Sequence, residues 1–350
     1  MSNKKRKTKS IVDVAERAGV SVTTVSRVLN GQGKVHGDTR ARVLDAAKDL
    51  EFSLSRGRPG PRLRSAGAEG VIKFLHFIDP DIEVLEQNYT LLPIKEGVSR
   101  AAADAGIRVS YDILSTKAEG LPALSSGGRD VVGVLWLGGE PSVAVQDELR
   151  KYTCCRMMTA RESSLWCDEV RPDHREVGAM AARHLLENGH VNIAMLMFSP
   201  NDRVNYFREE GFRHEMSERP DVRWTLTKTL NDEISSGRNE NYSVIGNWIQ
   251  ESFIDCSNPP TALFVDSDET LRSVYFRLSE LGIIPGRELE IVSCNNLRRI
   301  RESLPIEFTS IDVHFESVGR MSVAQLLWRC ENRDDLARSR TLIMPSLNSR

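Results

Sequence analysis

The chain has 350 residues, 40% hydrophobic and 27% charged, which excludes a disordered or fibrous class and suits a head of about 60 residues plus a body of about 280. No apolar run reaches about 18 residues, so no membrane-spanning helix is expected, and the basic start MSNKKRKTKS lacks the apolar stretch of a secretory signal. The net charge of −2 hides a split of 15 Lys and Arg against 6 Asp and Glu in residues 1–64, and 32 against 43 beyond, so a polyanion partner is expected for the head alone.

In chain order, KKRK reads either as a nuclear-localisation tract or as a basic arm on phosphate. Residues 10–31, SIVDVAERAGVSVTTVSRVLNG, then read as two short helices joined by a tight turn. Ile11, Val14, Ala15 and Ala18 share one helical face, and Gly19 can take the turn conformation. Ser21 stands at an N-cap position ahead of a second apolar stripe, Val25, Val28 and Leu29. This is helix-turn-helix grammar, in which the second helix enters the DNA major groove. An ordinary helical hairpin is the competing reading of this stretch alone. Val22 and Thr23 occupy the first positions of the second helix, nearest the base edges. Arg27 can bind guanine O6 and N7 bidentately, while Val22 and the Thr23 methyl suit a thymine methyl. Ser10, Ser21, Thr24, Ser26 and Asn30 are assigned to phosphates, where they position without specifying. A third helix is predicted over Thr39–Leu50, with Asp38 as N-cap and Val43, Ala46, Ala47 and Leu50 inward. Phe52 follows to close a three-helix core.

The run DVA-x-x-AGVS-x-x-TVSRVLNG, continued by V-x-x-x-TR-x-RV-x-x-AA-x-x-L, closely resembles the headpiece of LacI/GalR-type bacterial transcription regulators. The resemblance implies that Val22, Thr23 and Arg27 read the operator. It also implies a hinge helix, Y-x-PN-x-x-A-x-x-L, and here this chain departs. Phe52-Ser53-Leu54-Ser55 lacks the Pro-Asn pair, and the glycines and prolines of 57–61 prevent a regular helix. Arg56-Gly57-Arg58-Pro59 resembles an AT-hook, an extended tract lying along a narrow A·T minor groove. A flexible Arg-rich linker making only phosphate contacts is the alternative.

From Val71 the pattern changes to apolar strands alternating with amphipathic helices: VIKFLHFI (71–78), a helix near 89–105, IRVSYDIL (107–114) and DVVGVLWLGG (130–139). Such alternation implies parallel sheets covered by helices on both faces. No GxGxxG follows a strand and no GxxxxGK[ST] occurs, so no dinucleotide or Walker site is supported. Asp173, Gly178, Ala182 and HLLENGH (184–190), then Arg208-x-x-Gly211-Phe212, PPTALFVDSDETL, LEIVSCNN and PIEFTSIDVHFESVG, resemble the remaining landmarks of the same family in order. Gly189 suits the end of a helix, and His190 reads as structural.

The resemblance thus implies an N-terminal all-α helix-turn-helix headpiece (1–52), a linker (53–70) and an α/β two-lobed periplasmic-binding-protein-like domain (71–340). Lobe 1 is expected over 71–170 plus 301–335, and lobe 2 over 171–300. Effector contacts carried over position by position fall on Arg208, Ser267, Asp268 and Asn295. A guanidinium fork at Arg208 suits sugar hydroxyls or a carboxylate. Two of these depart from the family: Ser267 stands where Asn is usual, and Asn295 where Asp is usual. Trp136 to Gly139 and the loop around Tyr89 are candidates for an aromatic platform, or for core.

Six cysteines show no CxxC pair and no His at zinc spacing, so buried small hydrophobes in a reduced compartment are expected, with no metal and no cofactor. No nucleophile elbow or metal-spaced cluster supports an enzyme. The expected function is a cytoplasmic bacterial, dimeric, sequence-specific DNA-binding repressor of a metabolic, carbohydrate-related operon. Its partners are a pseudo-palindromic double-stranded operator and a small-molecule effector such as a sugar. An activator, an effector-independent DNA binder and a small-molecule transport module are the alternatives.

Overall fold

The computed structural model describes residues 11–21, 24–25, 28, 36–50, 70–79, 88–121, 131–158, 166–198, 203–229 and 240–348. The chain divides into two compact units, 1–61 and 62–350.

In the first unit, α1 (Ile11–Ala18) ends at Gly19, which adopts φ 64°, the left-handed conformation that glycine enters without a Cβ penalty. The backbone then turns back, with Val20 N donating to Ala15 O at 3.1 Å. Ser21 Oγ accepts from Thr24 N at 3.2 Å, satisfying one of the free donors at the start of the next helix. Val14, Ala15, Ala18, Val25 and Val28 form one buried cluster with Val43, Ala46 and Ala47 of α2 (Gly37–Asp49). That helix starts two residues earlier than expected and is preceded by His36, without a side-chain cap. Asp38 therefore lies inside the first turn, where its charge complements the helix dipole instead of capping. Phe52 and the linker lie outside the described residues.

The second unit contains two six-stranded sheets. β1 (Val71–Ile78), β2 (Arg108–Ser115), β3 (Val131–Gly138), β4 (Cys154–Met157) and β5 (Asp168–Pro172) form the first with β11 (Arg340–Ile343), in the order β11-β5-β4-β3-β1-β2. All its pairings are parallel. β6 (Asn192–Phe198), β7 (Arg223–Thr229), β8 (Ala262–Val265), β9 (Glu290–Cys294) and β10 (Thr309–Asp312) form the second, closed by the antiparallel β12 (Ser346–Asn348), in the order β12-β10-β9-β8-β6-β7. On lobe 1, α3 (Asn88–Asp104) and α10 (Phe315–Glu331) pack together, while Val145 and Leu149 of α4 (Val143–Leu149) join Leu75 and Trp136 in a second cluster. Lobe 2 carries α5 (His174–Glu187), α6 (Arg203–Ser217), α7 (Glu240–Ile249), α8 (Asp268–Glu280) and α9 (Arg298–Ser303).

Helices approach most closely where glycines face one another. A Cβ on Gly178 of α5 would lie 1.8 Å from the Arg208 carbonyl oxygen of α6, and one on Gly211 of α6 would lie 1.9 Å from that of Arg175. Gly97 and Gly319 do the same for α3 and α10, at 2.0 and 2.2 Å. Backbone contact at this range admits only hydrogen as a side chain.

The chain crosses between lobes at 172–174, 312–315 and 343–346. Asp173 N donates to Ile343 O at 2.9 Å, and His314 Nε2 lies 2.9 Å from Ser346 Oγ, so the three crossings are tied together. This corrects the expected lobe division. Residues 301–312 stay in lobe 2, because β10 pairs with β9. Lobe 1 regains the chain at α10 and keeps it past 335 through β11, which pairs with β5. The domain itself continues past 340, because β12 returns to lobe 2.

Candidate functional site

In the headpiece, Ser21 and Thr24 are the two predicted DNA contacts within the described residues. Their hydroxyls lie 2.9 Å apart at the start of the second helix, and Ser21 also caps it. Helix N-termini favour phosphate through their free N–H groups and dipole, so capping and a phosphate contact are compatible. Ser10, Val22, Thr23, Ser26, Arg27, Asn30, Arg56, Gly57, Arg58 and Pro59 lie outside the described residues.

In the body, a cavity of about 710 Å³ opens between the lobes. Lobe 1 contributes Tyr89, Leu92, Pro93 and Glu96 from α3. Lobe 2 contributes Asn295 to Arg299, and the second crossing supplies Asp312, His314 and Phe315. Its size falls within the range of small-molecule sites, roughly 300–1,000 Å³. The left-handed backbone of Asn295 (φ 97°), Asn296 (φ 49°) and His314 (φ 55°) marks this rim. Non-glycine residues rarely hold such angles unless the surroundings dictate them. Asn296 Nδ2 donates to Asp312 Oδ2 at 2.9 Å, and Asp312 Oδ1 accepts from His314 N at 2.7 Å.

The four carried-over effector residues divide between different networks. Arg208, only 4% exposed, donates from Nη1 to the Asp266 carbonyl and from Nη2 to Asn295 Oδ1 at 3.1 Å. Its Nε is buried without an acceptor among the described residues. Asn295 thus joins Arg208 to the cavity wall, which Arg208 itself does not line. Ser267 instead caps α8, its Oγ accepting from Thr270 N at 3.2 Å. Asp268 is fully buried and accepts from the hydroxyls of Ser293 and Ser310 and from Leu297 N. Neither Ser267 nor Asp268 lines the cavity. Tyr89 does line it, whereas Trp136 is buried in lobe 1 and stacks on Trp166 with centroids 6.3 Å apart.

Two groups were missed in the sequence. His174, at the start of α5, is buried with neither ring nitrogen hydrogen-bonded among the described residues, and burial together with the nearby Arg208 and Arg171 holds its pKa well below the ordinary value. Glu269 adjoins Asp268, and Asn295 Nδ2 lies 3.4 Å from its Oε2. Three acids in the four residues Asp266–Glu269, at the exit of β8, were the available signal. His190 is structural: Nδ1 lies 2.8 Å from Thr261 Oγ1 and Nε2 2.7 Å from Glu290 Oε2.

Burial, with Asp268 adding to it, pushes the Glu269 carboxyl from 4.5 up to about 7. The folded chain therefore keeps a proton that the unfolded chain releases above 4.5. This group's contribution to stability is greatest below 4.5 and falls as pH rises towards about 7. Urea midpoints of the native chain should decline across that window relative to a Glu269→Gln variant. A native midpoint that instead rises relative to the variant would contradict the assignment.

The family model for bacterial regulatory proteins of the lacI family matches residues 10–54, and the periplasmic binding protein-like domain matches 182–350. The head is thus similar to the lacI family and the body to periplasmic binding proteins. In the regulators of that family a helix-turn-helix head is joined to a body of the periplasmic-binding-protein type, the order of the two matches here. Its sequence is 26% identical over 336 residues to the HTH-type transcriptional repressor PurR of Salmonella arizonae, covering 94% of this chain and 93% of that protein. The fold matches the lac repressor dimer bound to operator and the anti-inducer ONPF, with TM-score 0.61, 20% identity and 98% coverage of both chains. It also matches the transcriptional regulator CelR in complex with cellobiose, with TM-score 0.58, 18% identity and coverage of 98% and 99%.

Proposed function

We propose that this chain is a lacI-family regulator, a cytoplasmic, dimeric repressor of a carbohydrate-related metabolic operon, switched by a small polar effector. The observation that carries this reading is the inter-lobe cavity, whose wall residue Asn295 is hydrogen-bonded to Arg208. A ligand seated against Asn295 touches both lobes and so has different contacts in open and closed arrangements, which is what an effector needs to shift an equilibrium. The PurR relative is a repressor, and the CelR structure holds cellobiose. Both support the reading by analogy. Asn295 offers an amide where the family usually has a carboxylate, so the preferred ligand must present an acceptor as well as donors. Arg208, Ser267, Asp268 and Asn295 remain the proposed effector residues. Asn295 acts at the cavity wall with Arg208 hydrogen-bonded behind it, while Ser267 and Asp268 act indirectly by holding α8 and the β9 exit in place.

The test is the affinity of the full chain for its operator, measured with and without a panel of sugars and nucleobases. One compound should shift affinity by about 5- to 150-fold, the usual range of allosteric coupling, and Asn295→Ala should abolish the shift. One observation favours an effector-independent binder: Arg208 is already enclosed by this chain's own Asp266 and Asn295. A panel with no effect on affinity selects that second reading.

In the head, Val22, Thr23 and Arg27 are proposed to read bases, and Ser10, Ser21, Thr24, Ser26 and Asn30 to hold phosphates. The linker is proposed to place Arg56 and Arg58 in the minor groove, with Gly57 permitting close approach and Pro59 keeping the tract extended. Replacing Arg56 and Arg58 by Ala should weaken binding most on operators with A·T-rich centres. Each lost contact is expected to cost on the order of 1 kcal/mol. Equal loss on G·C-centred operators would reduce the linker to phosphate contacts.

A further inference from the structure

A second cavity, of about 540 Å³, lies at the opposite edge of lobe 1, where β3, β4 and β5 begin. Arg150, Lys151, Arg329, Arg333 and Arg338 line it against one carboxylate, Asp168. That carboxylate is already committed. It accepts from Arg329 Nε and Nη2, each at 2.8 Å, from Gln325 Nε2 at 2.8 Å and from Ser339 N at 3.0 Å. Arg338 donates to the carbonyls of Trp166, Asp335 and Ala337, not to an acid. Lys151 and Arg333 form no ion pair among the described residues. Arg150 reaches Asp147 at 3.8 Å and lies over the Trp166 ring.

Part of this charge has a purely structural use, because α4 and α10 both end at this edge. A helix C-terminus carries about −0.5 charge. Two of them offset about one cation and leave at least two that no ion pair among the described residues neutralises. The cavity is larger than an inorganic ion needs and within the roughly 300–1,000 Å³ of small-molecule sites. Val131, Val132 and Trp166 give it an apolar wall. A phosphoryl group offers three strong acceptor oxygens and close to two charges, matching cations that converge from separate elements.

We propose that this cavity is a second ligand site, separate from the inter-lobe cleft, that takes a phosphorylated small molecule. Its phosphoryl group is held by Lys151, Arg333 and Arg338, and its organic part lies against Val132 and Trp166.

The test is calorimetric titration of the full chain with ribose 5-phosphate, ribose and inorganic phosphate. It is repeated on a Lys151→Gln/Arg333→Gln double variant and on Asn295→Ala. Both replaced cations are exposed, so the double variant should melt like the native chain. Ribose 5-phosphate should bind more tightly than inorganic phosphate, lose about tenfold or more in the double variant, and be unchanged in Asn295→Ala. Three results would overturn the proposal: no binding of either phosphate up to about 10 mM, binding that the double variant leaves intact, or an ester that binds no better than inorganic phosphate.

Discussion

Gly178→Ala should destabilise lobe 2 by more than the usual overpacking penalty of about 1–3 kcal/mol. The added methyl would meet the Arg208 carbonyl oxygen at 1.8 Å, the Arg208 carbonyl carbon at 2.7 Å and Phe212 N at 2.9 Å. All three are backbone atoms, so no rotamer change relieves the clash and α5 must move away from α6. Gly211→Ala should do the same from the other side, against the Arg175 carbonyl. Arg208 stands on the crowded turn, so its bonds to Asp266 and Asn295 should be lost with the packing. Urea unfolding followed by tryptophan fluorescence reads this directly, because Trp224 lies beside Phe212 of α6. A loss below about 1 kcal/mol, typical of an unremarkable substitution, would show that the two helices can separate without cost.

Ile113→Asp should convert the proposed dimer into a monomer. Ile113 is 61% exposed on β2, the edge strand of lobe 1, and Leu92 of the adjacent α3 is 52% exposed. Tyr111, two residues away on the same strand face, is tied to α3 through Ser99 Oγ and the Lys95 carbonyl. An apolar stripe beside a strand edge that is unpaired among the described residues invites pairing with a second copy. A two-fold axis would bring the same stripe from each partner together. The substitution leaves the fold intact, since the side chain is largely in solvent. Light scattering should report half the native mass, and operator affinity should fall by about 100-fold or more as two linked heads become one. An unchanged mass would place the dimer contact on another face.

Most of the head was legible in the sequence because its stripes recur at helical period. Val14, Ala15, Ala18, Val25, Val28, Val43, Ala46 and Ala47 do form one buried cluster. The strands of the body were legible because buried parallel strands read as unbroken apolar runs. VIKFLHFI is buried along nearly its full length. The lobe division was harder. β10, β11 and β12 are only three or four residues long, too short for periodicity, and which sheet each joins depends on long-range pairing. The cleft was half legible. Arg208 and Asn295, both carried over from the family pattern, are hydrogen-bonded to each other. Ser267 and Asp268 share that pattern, but a hydroxyl at a helix start is captured by the nearest free N–H. Asp268 points inward, where three donors await it. Nothing in residue spacing separates a carboxylate facing a cleft from one facing the core. The His174 ring was missed for the same reason.

A head of this kind should read one specific operator. The measurement that tests it most directly is competition, at about 150 mM salt, between the tightest duplex recovered from a randomised library and a scrambled duplex of the same composition. The full chain should prefer the recovered duplex, a pseudo-palindrome, by about a thousandfold or more, and Arg27→Ala should erode that preference. Equal affinity for both duplexes would contradict the account.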